Sequence, residues 1–184
     1  MTTVIPLAAP HPPSNSHKRP DSMSSPIRSS IITLREITED DWRAVANLRV
    51  SAAQAGNLAL NPMSILEAHY SEDAWMRAIY ADETLVGFLM MAIWPPTDGY
   101  YIWRLMIDQR YQGSGFGRQV VGMAIEHVKK NYPQTKQLGV MSTPEEGEGK
   151  VEAQHSPYNF YVKLGFRQTA EPDEDGEVMM MIDL

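Results

Sequence analysis

From Ile31 onward, apolar positions fall into short blocks whose spacing changes between two and roughly 3.6 residues, and each change marks a new element. Ile31-Ile32-Thr33-Leu34-Arg35 is a β-branched run that predicts a strand. Trp42, Val45, Leu48 and Ala52 follow at helical spacing, with Thr38 and Asp41 as a near capping box ahead and Gly56 as the stop. Ser64 and Glu67 form a second capping box and predict a helix through Leu66, Ala68 and Tyr70. Residues 75–81 and 84–94 predict two strands joined at Asp82-Glu83 as an antiparallel hairpin. After the turn at 95–99, residues 100–107 are rich in aromatic and β-branched side chains and predict a buried strand. Val120, Val121, Ala124, Ile125 and Val128 then line one face of an amphipathic helix, broken at Asn131-Tyr132-Pro133. Residues 137–142 predict a strand, and the acidic, glycine-containing stretch 143–154 a mobile loop. Ser156 as cap and Pro157 in the first turn predict a last helix, stopped by Gly165. Strands at 166–169 and 178–182 flank the acidic turn 171–176. The series describes a mixed α/β (α+β) fold with a mostly antiparallel central sheet flanked by helices.

Residues 1–30 do not fit this pattern. Pro6, Pro10, Pro12, Pro13, Pro20 and Pro26 are mixed with serines, and such a segment cannot bury enough apolar surface to offset its ordering entropy. It is expected to be a disordered tail ahead of one domain at 31–184. The formal net charge is −7, which argues against a nucleic-acid partner, where a basic face is needed. No apolar run approaches the roughly 20 residues of a membrane span, so no membrane partner is expected and a cytoplasmic location is. The chain has no cysteine, which removes disulfides, thiolate metal sites and a cysteine nucleophile; no metal is expected.

The candidate chemistry begins where the strand at 100–107 meets the helix at 118–130. Gln112-Gly113-Ser114-Gly115-Phe116-Gly117 places three glycines at alternate positions, so the backbone is free to curl with its N–H groups pointing one way. The helix that follows opens an anion site at its first amides, and Arg118 adds a side-chain charge. A P-loop needs Gly-Lys followed by Ser or Thr, which this chain lacks. A dinucleotide fingerprint needs a third glycine where Arg118 stands. The remaining pattern, Q/R-x-x-G-x-G/A, is met by Gln112, Gly115 and Gly117.

That pattern resembles the acyl-CoA pyrophosphate loop of the GNAT acetyltransferases. Phe160-Tyr161-Val162-Lys163-Leu164-Gly165-Phe166 resembles a second signature of the same family, F/Y-Y-x-x-x-G-F, at the usual distance. Runs at 73–81, 86–88, 102–108 and 176–180 are similar to bacterial-type spermine/spermidine acetyltransferases. The resemblance covers 31–184 and implies a GNAT-like sheet and transfer of acetyl from acetyl-CoA to a primary amine, with a polyamine as first choice. Acceptors of another kind, a protein lysine, an α-amine or an amino-sugar antibiotic, stand as alternatives, as does a non-catalytic acyl-CoA-binding module. It also implies roles. The backbone of Leu105, Met106 and Ile107 would pair with pantetheine. The amides of Gln112, Gly113, Ser114, Gly115, Phe116 and Gly117, with Arg118, would hold the pyrophosphate, and Gln154 stands where the family usually has an asparagine on the cofactor. Tyr161 would be the general acid toward the departing thiolate, with Tyr158 as rival. The general base is open: Glu67, Glu72, Asp73 and His69 are candidates, beside a water chain. A homodimer formed through the methionine-rich strand end Met179-Met180-Met181 is set against an ordinary core strand.

Overall fold

The computed structural model describes residues 25–57, 60–94, 99–144 and 156–184. Its elements in chain order are β1 (Ile32–Arg35), α1 (Trp42–Ala46), α2 (Asn61–His69), β2 (Ala74–Ala81), β3 (Thr84–Trp94), β4 (Gly99–Ile107), α3 (Phe116–Asn131), β5 (Gln137–Ser142), α4 (Tyr158–Val162), β6 (Arg167–Gln168) and β7 (Val178–Asp183). They build one seven-stranded sheet in the order β1-β2-β3-β4-β5-β7-β6, in which only β4 and β5 run parallel.

Helices cover both faces. Leu89, Met91 and Ile93 of β3 join Phe116, Val120, Val121, Ala124 and Val128 of α3 in one core cluster, while Phe88 and Met90 of the same strand join Val45 and Leu48 on the opposite face. This alternation is what the two-residue period of a strand demands when both faces are buried. Each of these side chains larger than Ala124 contributes about 1.5–3 kcal/mol over its exposed state.

One predicted helix end and one predicted helix start are corrected. The helix expected to run from Trp42 toward Gly56 stops at Ala46, and a separate 3-10 turn spans Ala52–Asn57. The chain leaves α1 because the buried Asp108 carboxylate accepts the Arg49 N–H at 3.0 Å, and the Gln109 N–H donates to Arg49 O at 2.8 Å. Thr38 and Asp41 do close the turn leading in: Asp41 Oδ1 accepts the Thr38 N–H at 2.6 Å. Ser64 is not a cap. The second helix starts three residues earlier at Asn61, where Pro62 suits the first turn and the Asn61 amide donates to Val45 O at 2.9 Å. Among the described residues the methionine-rich strand β7 is interior to the sheet, paired with β5 along its length and with β6 at Met180 and Met181. The expected loop at 143–154 falls mostly on 145–155, outside the described residues, as do residues 1–24 of the expected tail. No helix among the described residues is long and apolar enough to cross a membrane.

Candidate active site

A local irregularity in β4 opens the site. Met90 pairs with Arg104 but Met91 pairs with Ile102, so Trp103 is an extra residue, a β-bulge that bends the strand. On its other side β4 pairs with β5 only at Tyr101 and Ile102, opposite Gly139 and Val140. The two strands meet closely there because Gly139 has no side chain: a Cβ at that position would come within 2.4 Å of the Tyr101 ring. Beyond Ile102 no ladder joins them, so the β5-facing backbone of Arg104, Leu105, Met106 and Ile107 lacks a strand partner. The result is a cleft of about 550 Å³ between the splayed ends of β4 and β5, closed on one side by the start of α3 and on the other by α4.

The glycine turn lies at one end. Gly113 and Gly115 have φ of 77° and 83°, the left-handed region that L side chains avoid, and Gly115 is the residue ahead of α3. No side chain caps this helix start, so its first amides have no side-chain acceptor, and Gly115, Phe116 and Gly117 line the cleft. The Gln112 side chain fixes the turn to the strand, donating to Ile107 O at 2.9 Å and to Gln54 Oε1 at 3.0 Å. Arg118 is exposed at the same end. Leu105, Met106, Ile107, Gln112, Gly113, Gly115, Phe116, Gly117 and Arg118 all line the cleft; Ser114 belongs to the turn without lining it, and Gln154 lies outside the described residues.

Asp108 holds this end together. It is 2% exposed and accepts from the amides of Arg49 and Arg110 and from Arg110 Nε at 2.7 Å. Burial pushes its carboxyl up, but the Arg110 guanidinium and the two amides outweigh that and hold it below the usual carboxylate range.

Tyr161 lines the opposite wall. Ser156 anchors the start of α4, its hydroxyl donating to Thr143 O at 2.6 Å and accepting the Tyr158 N–H at 3.0 Å. A Schellman pair ends the helix, from Phe166 N–H to Tyr161 O at 3.1 Å and from Gly165 N–H to Val162 O at 3.0 Å. Tyr161 is thereby wedged edge-to-face between Phe160 and Phe166, with centroids 5.1 and 5.4 Å away, and is 5% exposed. Burial pushes its phenol well above its ordinary value, so it stays protonated. Tyr158 does not line the cleft; its hydroxyl donates to Gln168 Oε1 at 3.2 Å.

None of the carboxylates named from sequence as bases lines the cleft. Glu67 faces Arg104, which does line the cleft, at 3.7 Å, and among the described residues Glu67 Oε2, Arg104 Nε and Ser64 Oγ are buried without a hydrogen-bond partner. Glu72 is exposed at the start of β2, and Asp73 accepts from the Trp94 indole. The acid that does line the cleft, alone among the described residues, is Glu177, at the start of β7 beside Ser142, Thr143 and Ser156. Sequence reading missed it because it shares a cleft with Tyr161 only through the β5–β7 pairing; its place at the end of an acidic turn was the available signal. Val50, Gln54 and Tyr111 also line the cleft without any local mark. Among the described residues no group of three or more His, Asp or Glu side chains is placed to hold a metal ion.

Known proteins share the fold. A model of the Acetyltransferase (GNAT) family matches residues 32–166. A spermine/spermidine N(1)-acetyltransferase of Bacillus subtilis is 27% identical over 162 residues, covering 83% of this chain and 99% of that protein. Among solved structures, the PaiA N-acetyltransferase of Thermoplasma acidophilum in complex with coenzyme A superposes with a TM-score of 0.59 at 17% identity, over 84% of this chain and 99% of that one. The spermidine/spermine N-acetyltransferase SpeG of Vibrio cholerae superposes with a TM-score of 0.59 at 16% identity, over 85% and 94% of the two chains.

Proposed function

Because the chain belongs to the acetyltransferase (GNAT) family and is an acetyl-CoA-dependent N-acetyltransferase, we propose that it transfers the acetyl group directly to a primary amine of a small polyamine bound with acetyl-CoA in the β4–β5 cleft. One observation carries the reading: a stretch of β4 with no strand on its β5 side, a left-handed glycine turn at a helix start, a buried tyrosine and a carboxylate all line one space. The residues fit the co-substrate. Leu105, Met106 and Ile107 offer backbone groups for its pantetheine amides, and the turn from Gln112 to Gly117, with Arg118, offers amides and charge for its pyrophosphate.

The acceptor nitrogen forms a bond to the thioester carbonyl carbon as the carbon–sulfur bond breaks. A primary amine has a pKa near 10, so it arrives as an ammonium. Glu177 attracts that cation, orients it, and relays its proton toward solvent at the cleft mouth. Tyr161 gives its proton to the departing sulfur, and the second proton that the nitrogen sheds as the amide forms returns through cleft water to the Tyr161 phenolate. Its raised pKa would oppose this in water, but a thiolate leaving into the same apolar wall has its own proton affinity raised by the same desolvation. The polyamine choice is supported by the acid that lines the cleft, by the net charge of −7, and by the name of the Bacillus subtilis relative.

Thiol release from acetyl-CoA, measured against spermidine, spermine, a lysine peptide and an aminoglycoside, tests this. The highest kcat/KM is expected with a polyamine, and Glu177→Gln should raise the polyamine KM far more than the acetyl-CoA KM. Preference for the peptide or the aminoglycoside overturns the acceptor class. CoA binding without thiol release to any amine would make the chain a binding module.

A further inference from the structure

The segment before β1 reaches the phosphate turn. Residues 25–30 close a tight turn in which the Ile27 N–H donates to Ser30 Oγ at 3.1 Å and the Ser30 N–H to Ile27 O at 2.9 Å. Ser30 is buried, and the next residue is tied to the β2–β3 corner by Ile31 N–H to Asp82 Oδ1 at 2.9 Å and Asp82 N–H to Ile31 O at 2.8 Å. Arg28 stands at the tip of this turn. Its Nε lies 3.7 Å, and its Nη2 4.0 Å, from where a Cβ on Gly115 would be. The side chain therefore crosses, from a distant part of the sequence, to the residue whose left-handed backbone opens α3.

Two guanidiniums thus flank one turn. Arg28 and Arg118 are both exposed, and neither has a hydrogen bond or ion pair with any described residue. Like charges gathered at a helix start already positive by its dipole repel one another unless an anion sits among them. We propose that Arg28 is a cofactor-binding residue whose guanidinium closes over the pyrophosphate held by the Gly115 turn. The inference rests on the acetyl-CoA reading of that turn and adds a residue that lies outside the family-matched segment 32–166. The chemistry suits the position. The turn supplies neutral amides on one side of a phosphate, and a planar guanidinium can supply paired, charge-assisted hydrogen bonds from the other.

Calorimetric titration of full-length wild type, Arg28→Gln and Arg28→Lys with CoA and with 3′-dephospho-CoA tests the assignment. Arg28→Gln should weaken both ligands about fivefold at low ionic strength, with the deficit shrinking as salt rises. Arg28→Lys should keep part of the affinity, since it retains the charge and loses the fork. In steady state the glutamine variant should raise the KM for acetyl-CoA and leave kcat unchanged, a split that a merely structural role would not produce. Equal affinity of Arg28→Gln and wild type overturns the proposal. So does a loss seen with CoA and absent with dephospho-CoA, which would put the guanidinium on the 3′-phosphate, and so does tighter binding by the variant, which would make Arg28 an obstruction. Failure of the wild type itself to bind CoA would overturn the reading of the cleft as well.

Discussion

Replacing Tyr161 by Phe removes one hydroxyl and little else. The ring is almost wholly buried, and its packing against Phe160 and Phe166 is edge-to-face, which phenylalanine reproduces. The stability change should stay within about 1 kcal/mol, a shift of roughly 2–4 °C in melting temperature for a chain of this size. The catalytic change should be far larger. General-acid contributions are typically about 10²–10⁴-fold, and Tyr161 is the tyrosine of α4 that lines the cleft, while the Tyr158 hydroxyl bonds to Gln168. Tyr161→Phe should therefore lower kcat by roughly 10²–10⁴-fold, with little change in the KM for acetyl-CoA. Steady-state thiol release at saturating acetyl-CoA reads the first quantity, and a single-turnover experiment establishes that chemistry limits the rate. Tyr158→Phe should remain near wild type. Burial holds the Tyr161 phenol above its ordinary pKa, so its ionisation should impose no alkaline decline on wild-type kcat below about pH 10. Near-full kcat in Tyr161→Phe, with chemistry rate-limiting, would refute the role; a matching loss in Tyr158→Phe would hand it to Tyr158.

Three further outcomes follow from other parts of the structure. Gly115→Val places a β-branched residue at φ +83°, costing about 1–2 kcal/mol of stability, yet calorimetry should show CoA affinity falling at least about tenfold; unchanged binding by the folded variant contradicts the phosphate turn. Asp108→Asn leaves one oxygen where two now accept, Oδ2 from the Arg49 amide and Oδ1 from the Arg110 amide, and it loses the charge facing Arg110, whose side chain is 60% exposed, so thermal denaturation should show a loss of about 2–4 kcal/mol; because the Asp108 carboxyl is held below its reference value of 3.8, the stability it contributes is present above pH 3.8 and is lost as pH falls through its lower folded value. His127, stacked on Trp75, is held below its reference value of 6.5 by burial first and by the Arg77 charge second; the unfolded chain takes up that proton and the folded chain does not, so stability should drop as pH falls below 6.5, and the slope should be shallower in His127→Gln.

What could be read from the sequence was what depends on neighbours in the chain. The hairpin at Asp82-Glu83, the apolar face of α3 and the glycine turn are local patterns, and each appears where its spacing placed it. Tyr161 was legible because its motif carries its own helix stop at Gly165. The failures share one cause: a distant partner decided the local outcome. The Trp42 stripe continues at helical spacing, but Asp108, 59 residues beyond Arg49, takes the Arg49 amide and pulls the chain away. Ser64 and Glu67 look like a cap, but Asn61 and Pro62 start the helix first because Val45 O takes the Asn61 side chain. The Trp103 bulge, on which the cleft depends, is a matter of register against β3 and leaves no periodic trace in β4 alone. Glu177 and Arg28 reach the site from opposite ends of the chain, so no spacing rule connects them to the glycine turn or to Tyr161.

The most direct test of the central claim is a crystal structure of the full-length protein with CoA bound. The pantetheine arm should lie along Leu105, Met106 and Ile107 in the gap beyond Ile102, the pyrophosphate should sit on the amides of the Gln112–Gly117 turn, and the thiol should be within hydrogen-bond reach of the Tyr161 hydroxyl. A thiol directed away from Tyr161, or a CoA bound outside the β4–β5 gap, would contradict the account.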